Sequence, residues 1–142
     1  MPPVDNKKSW TWEGSLKDHV RVLKNLPFFF VAPLVLKPEQ CETVHISVNS
    51  VLGCPYCTEL HCELGRMAGL QDSYGLMRTG NFGTSEEIEA CGVFSEFGRI
   101  FAQHEGRGED VKQKYDDIAA QYGPMAAMSA EGVSQSVYVE IA

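Results

Sequence analysis

The chain is expected to fold as an all-α protein, and three features of its sequence carry that expectation. The first is the stretch Pro38 to Leu52. Read as a helix, it places Cys41, Val44, Val48, Val51 and Leu52 on one stripe about 100° wide, with Pro38 and Glu39 in the first turn and Gly53 as the stop. Val44, Ile46 and Val48 also alternate as a strand would, but fifteen residues is long for a strand. The second is the lack of a sheet-forming continuation after the Cys54-Pro55-Tyr56-Cys57 dithiol. A strand leading into that dithiol would demand a cis-proline loop and a closing hairpin downstream, yet the only later proline is Pro124 and no alternating hairpin comes after it. The third is that every segment between residues 70 and 122 carries helical periodicity or a helix start signal.

In chain order, residues 1–14 are expected to be a flexible N-terminal segment and residues 15–142 a single helical domain, large enough for a core without disulfides or metals. Ser15 with Asp18 resembles a capping box opening a helix on which Leu16, Val20, Leu23 and Leu26 share a face, ended by Pro27. The apolar run Phe28 to Leu36 is about half the length that spans a bilayer and holds Pro33, so it reads as core or as an oligomer contact. After Pro38–Leu52 comes a helix begun by Pro55, with Cys54 as its N-cap, running to about Ala68 and closed by Gly69. A short helix is expected from Asp72 to about Thr79. Thr84 with Glu87 forms a capping box for a helix over 85–105, whose Val93, Phe94, Phe97, Ile100 and Phe101 cluster on one face, while Gly92 and Gly98 suggest close helix contact. Glu109 to Tyr122 is amphipathic through Val111, Tyr115, Ile118, Ala119 and Tyr122, and Gly123-Pro124 stops it. Met125 to Ala142 is rich in small residues and weakly patterned, suited to a terminal helix on a partner subunit or a loose tail.

The chemistry concentrates between Glu42 and His61. At 100° per residue Cys54, Cys57 and His61 fall within roughly 60° of arc, the cysteines about 4.5 Å apart along the axis, so they could form a disulfide. Unpaired N–H groups and the dipole at the helix start favour a thiolate at Cys54. Cys57, one turn further in, is placed for His61 to take its proton. On the preceding helix Glu42, His45 and Asn49 line a polar edge facing the dithiol across the bend at Gly53. The blander interpretations are buried sulfur, half of a zinc site, a dipole-facing Glu42 and a half-buried His61. A zinc site usually brings a second ligand pair, whereas Cys41, Cys62 and Cys91 stand singly, at positions suited to inert thiols.

Glu42, eleven residues, Cys54-x-Tyr56-Cys57, three residues and His61 together resemble the signature of the AhpD-like alkylhydroperoxidases of the carboxymuconolactone decarboxylase superfamily. The likeness covers Cys41 to Leu70. It implies an AhpD-like helical fold with the dithiol at a helix N-terminus, usually in a homo-oligomer. It makes Cys57 the peroxide-attacking thiol, Cys54 its resolving partner, and Glu42 and His61 the proton relay. Tyr56 occupies a relay position that is histidine in the best-known members, and His45 is a further possible relay group. The family tends to use lipoyl-type dithiols as reductant; thioredoxin- or glutathione-type donors are alternatives. Some relatives carry selenocysteine in this motif, for which a cysteine here could stand in.

The resulting expectation is an enzyme that reduces hydroperoxides or exchanges disulfides through Cys54 and Cys57, with no cofactor and no bound metal. The alternatives are a zinc-binding module using the same Cys/His cluster and a non-redox lactone decarboxylase-type enzyme. A net charge of −7 argues against nucleic acid or an anionic membrane as the main partner. Five cysteines, an odd number with one Cys-x-x-Cys, fit a transient disulfide in the cytoplasm or a reducing organelle, and no signal peptide is visible.

Overall fold

The structure, a computed structural model, describes Val20, Leu23 and residues 27–141, the last three without side-chain detail. The expected flexible segment 1–14 and the Ser15/Asp18 cap, with Leu16 and Leu26, lie outside these residues. Helix α1 covers residues 27–35; it is followed by α2 (Pro38–Leu52), α3 (Pro55–Ala68), α4 (Ser73–Thr79), α5 (Ser85–Gln103), α6 (Glu109–Tyr122) and α7 (Pro124–Ile141). No strand occurs among the described residues, so the protein is all-α.

Helix α2 is the hub, packing against α3, α4, α5 and α7. Its start is fixed by Gln40, whose Oε1 accepts from the Lys37 N–H (3.1 Å) while its Nε2 donates to the Ala90 carbonyl on α5 (3.2 Å). Its end is Gly53, at φ 74°, whose N–H donates to the Asn49 carbonyl. A residue without a Cβ takes this left-handed conformation at little cost, and the turn it makes aims α3 back along α2.

The main core lies where α2 meets α5 and α7. Val44 and Val48 pack with Phe94, Phe97 and Phe101 of α5 and with Ala126, Ala127, Ala130, Val133 and Val137 of α7. Burying each of the phenylalanines contributes on the order of 2 kcal/mol. Gly98 lets α2 and α5 approach: a Cβ there would lie 3.0 Å from both the Val44 carbonyl and Ser47 Cβ. Gly92 has no such role, since a Cβ there would meet only Ile88, at 3.8 Å. A second cluster of Ile46, Leu70, Leu76 and Cys91 sits under α4.

Several boundaries and packings differ from the sequence expectation. Residue 27 is itself helical, and α1 continues through Pro33. Val20 and Leu23 are exposed, not part of a buried stripe. Helix α5 ends at Gln103, where His104 becomes its C-cap. Thr84 accepts from the Glu87 N–H, but the Glu87 carboxylate accepts from the Gln71 N–H at 3.1 Å, so the box is half used for capping and half for tying down the loop before α4. Finally, residues 124–141 are neither a loose tail nor a helix waiting for another subunit. They form α7, which packs on α2, α5 and α6 of its own chain.

Candidate functional site

Cys54 is the N-cap of α3. Its extended backbone (φ −77°, ψ 115°) turns its sulfur over the first helical turn, where it accepts from the Cys57 N–H at 3.3 Å. The two sulfurs lie 2.7 Å apart, within reach of one another for a disulfide to form. The Cys57 thiol, then the Cys57 N–H, and more weakly the Tyr56 N–H hold the Cys54 thiol below its ordinary pKa against an opposing contribution from burial. These donors favour the Cys54 thiolate over that of an ordinary thiol.

Glu42 on α2 and His61 on α3 meet across the bend, with Glu42 Oε2 2.9 Å from His61 Nδ1 and both side chains 16% exposed. A carboxylate accepts here, so Nδ1 donates to Glu42, and in the neutral imidazole the lone pair then lies on Nε2. His61 stands four residues beyond Cys57 and therefore one turn along the same face of α3. The arrangement makes a base held in a single tautomer beside a dithiol.

His45 adds a third member. Its ring stacks on His61 with centroids 4.1 Å apart and planes 7° from parallel. Burial, and secondarily the neighbouring His61, push its pKa down to about 3, so it stays neutral and is a poor proton acceptor. It serves as a flat platform that fixes the His61 ring. Its own Nδ1 is buried without a hydrogen-bond partner.

Glu42, His45 and His61 offer ligand atoms within 4.8 Å of one another, so a metal ion has candidate donors here. The stacking works against it. An imidazole binds a metal along a lone pair in its ring plane, and two nearly parallel rings cannot both aim in-plane lone pairs at one ion without one ring turning.

The remaining cysteines are chemically quiet. Burial raises the thiols of Cys41, Cys62 and Cys91 each to about 11, aided by nearby carboxylates such as Glu42 beside Cys41. Tyr56 lies at the surface, 89% exposed, and its hydroxyl has no hydrogen bond among the described residues. It stands beside the dithiol as an outward-facing aromatic, outside the Glu42–His61–His45 group.

One part of the site has no local signal in the sequence. An open cavity of about 480 Å³ is lined by Asn49, Ser50 and Gly53 from the end of α2, Thr58 from α3, Met77 to Gly80 at the end of α4, and Arg99 from α5. Asn49 belongs to the polar edge read from the sequence; Arg78 and Arg99 are far apart in the chain and on different helices. Comparison with known proteins gives no matching family model, no similar curated protein and no similar solved structure. Among the described residues, no helix is long and apolar enough to cross a membrane.

Proposed function

We propose that the protein is a dithiol oxidoreductase of the AhpD-like kind, reducing hydroperoxides or small disulfides through Cys54 and Cys57. The observation that carries this reading is the carboxylate–imidazole pair Glu42–His61, held at 2.9 Å one turn beyond a dithiol whose sulfurs are 2.7 Å apart. A carboxylate-oriented imidazole also serves at metal sites, but here the His61 and His45 rings lie stacked rather than turned toward one ion, while His61 stands on the dithiol's own helix.

With a hydroperoxide, His61 Nε2 takes the Cys57 proton and the thiolate attacks the terminal peroxide oxygen. An S–O bond forms, the O–O bond breaks, and the alkoxide leaves as an alcohol with the proton returned by His61. Cys54 then attacks the Cys57 sulfenic acid: the S–S bond forms, the S–O bond breaks, and hydroxide leaves as water with the Cys54 proton. Two thiols are oxidised and the peroxide is reduced by two electrons. With a disulfide, the same two attacks release two thiols instead. An external dithiol of lipoyl or thioredoxin type, or two glutathione-type thiols, then attacks at Cys54 and carries away the two oxidising equivalents. Such a cycle suits a reducing compartment. The exposed Phe30 and Leu34 of α1, 69% and 84% accessible, support a homo-oligomer.

Mass spectrometry of peroxide-treated variants tests the reading. Cys54→Ser is expected to accumulate a sulfenic acid on Cys57 and to lose turnover with a dithiol reductant. Sulfenic acid on Cys54 in the Cys57→Ser protein, formed at the wild-type rate and indifferent to His61, would invert the two roles. Purified protein holding stoichiometric zinc with thiols that resist oxidation would favour the metal-binding alternative. Lactone turnover surviving loss of both cysteines would favour the decarboxylase-type one.

A further inference from the structure

The cavity beside the dithiol has the composition of an anion site. Its walls include Gly53 and Thr58, the residues immediately before Cys54 and after Cys57. Two guanidiniums, those of Arg78 and Arg99, line it, and among the described residues neither forms an ion pair or a hydrogen bond. In a chain of net charge −7, two unpaired arginines lining one cavity stand apart from the overall charge balance.

Two further observations point to a ligand. Asn49 is fully buried and lines the cavity, yet neither its amide oxygen nor its amide nitrogen has a partner. Leaving such a group unpaired costs about 1–3 kcal/mol, a penalty a merely structural position would shed by substitution. In addition, the Arg99 guanidinium lies against Gly80, in space that a Cβ at residue 80 would occupy. Gly80, at φ 74°, both closes α4 and clears the seat of that side chain.

We propose that this cavity binds the carboxylate of the oxidant that the dithiol reduces, so that the substrate class is a small carboxylate-bearing disulfide or hydroperoxide. Arg78 and Arg99 hold the carboxylate, in the planar two-point manner guanidinium favours, and the Asn49 amide NH2 offers a hydrogen bond beside it; the Thr58 hydroxyl is already donated to the Cys54 carbonyl at 2.7 Å. Met77 supplies apolar wall for the carbon skeleton. The anchored end fixes the reacting S–S or O–O bond near the sulfurs, and the oxidant takes up the two electrons that the dithiol gives up as its disulfide forms. This inference rests on the dithiol reading, and its test separates the two.

Two measurements decide it. In the first, titration calorimetry with adipate, a carboxylate that cannot be reduced, is expected to show binding to the wild-type protein that Arg78→Gln/Arg99→Gln weakens about 10- to 100-fold, and that Arg99→Lys partly restores. No adipate binding to wild-type protein, or equal binding by the double variant with its helix content intact, overturns the proposal whatever the enzymology. In the second, 3,3′-dithiodipropionate is compared with its neutral diamide, and a carboxylated alkyl hydroperoxide with its methyl ester. The expected result is a kcat/KM preference of about 10-fold or more for the charged member of at least one pair, carried in KM, reduced by salt, and collapsing toward unity in the double variant. The pair that shows the preference identifies disulfide or hydroperoxide as the substrate. Turnover of all four compounds without preference overturns the anion site while leaving the dithiol reading standing. Adipate binding that depends on the arginines, with none of the four compounds reduced, upholds the anion site and overturns the redox reading to which it was tied.

Discussion

The face of α2 that meets α5 and the face that meets α3 are cut from the same fifteen residues and meet opposite physical demands. Toward α5, Val44 and Val48 are fully buried against phenylalanines, Gly98 brings the backbones together, and the Ser47 and Ser95 hydroxyls satisfy one another at 3.2 Å. Toward α3 and α4, Glu42, His45 and Asn49 place a carboxylate, an imidazole and an amide in a half-closed seam, with His45 Nδ1 and both polar atoms of Asn49 unpaired. The first face stabilises by removing apolar surface from water. The second gives up stability, since unpaired buried polar groups cost about 1–3 kcal/mol each. A face that is tolerated at such a cost is the one to search for chemistry.

That contrast can be broken most forcefully on the packed side. Phe97→Ala is expected to lower unfolding free energy by about 3–5 kcal/mol in chemical denaturation. A loss below about 1 kcal/mol would mean that the α2–α5 contact is not where stability resides.

On the other side, His61→Ala is expected to slow oxidation of the dithiol by peroxide about 100-fold, with Glu42→Gln giving a smaller loss of the same kind, as stopped-flow thiol consumption would record. Helix content should stay the same. If His61→Ala unfolds the protein instead, the seam is structural and the comparison fails.

His45 sharpens the difference through pH. Its pKa falls from 6.5 in the unfolded chain to about 3 in the folded protein. Between those values the unfolded chain binds a proton that the folded one does not. Stability is therefore lost as pH falls from about 6.5 toward 3, at up to about 1.4 kcal/mol per pH unit, and is insensitive to this group above 6.5. His45→Phe, which keeps a flat ring over His61, should flatten the acid limb of a stability–pH profile. An unchanged limb would assign it to other groups.

The smallest effect belongs to neither face. Leu34, 84% exposed on α1, should change stability of the isolated chain by no more than about 0.5 kcal/mol when replaced by Ser. A larger, concentration-dependent loss, with light scattering showing dissociation, would place α1 in an interface between copies.

The sequence was most legible where proline and glycine punctuate it. Pro38, Gly53, Pro55 and Gly69 mark the ends of α2 and α3 because a missing N–H and a left-handed φ act locally, whatever the tertiary setting. Helix α7 was hard to read because it is buried on nearly all sides: Ala126, Ser129, Val133, Ser134 and Gln135 are all inside, so no polar face beats against an apolar one. The Glu42–His61 juxtaposition could be anticipated from helical spacing plus one bend. The His45 ring stack could not, since it depends on the separation and rotation of two helices. Nor could the presence of Arg78 and Arg99 on the wall of one cavity, which depends on how the end of α4 is placed against α2 and on where the Arg99 side chain reaches. Such pairings arise from packing, and no short window of sequence encodes them.

Cys54 occupies the one position on α3 where a side chain can substitute for a missing helical acceptor, and a thiolate there does so more strongly than a neutral sulfur can. Whatever the cap contributes to the thiolate it contributes to the reduced protein alone, and about 1.4 kcal/mol of that preference moves a two-electron couple about 30 mV toward the oxidising side. A disulfide between Cys54 and Cys57 would relinquish that cap and leave the first turn less firmly closed. Electron flow through this site would then be accompanied by a tightening and loosening of one turn of helix, readable as amide exchange at Tyr56 and Cys57 that is faster in the oxidised protein than in the reduced one.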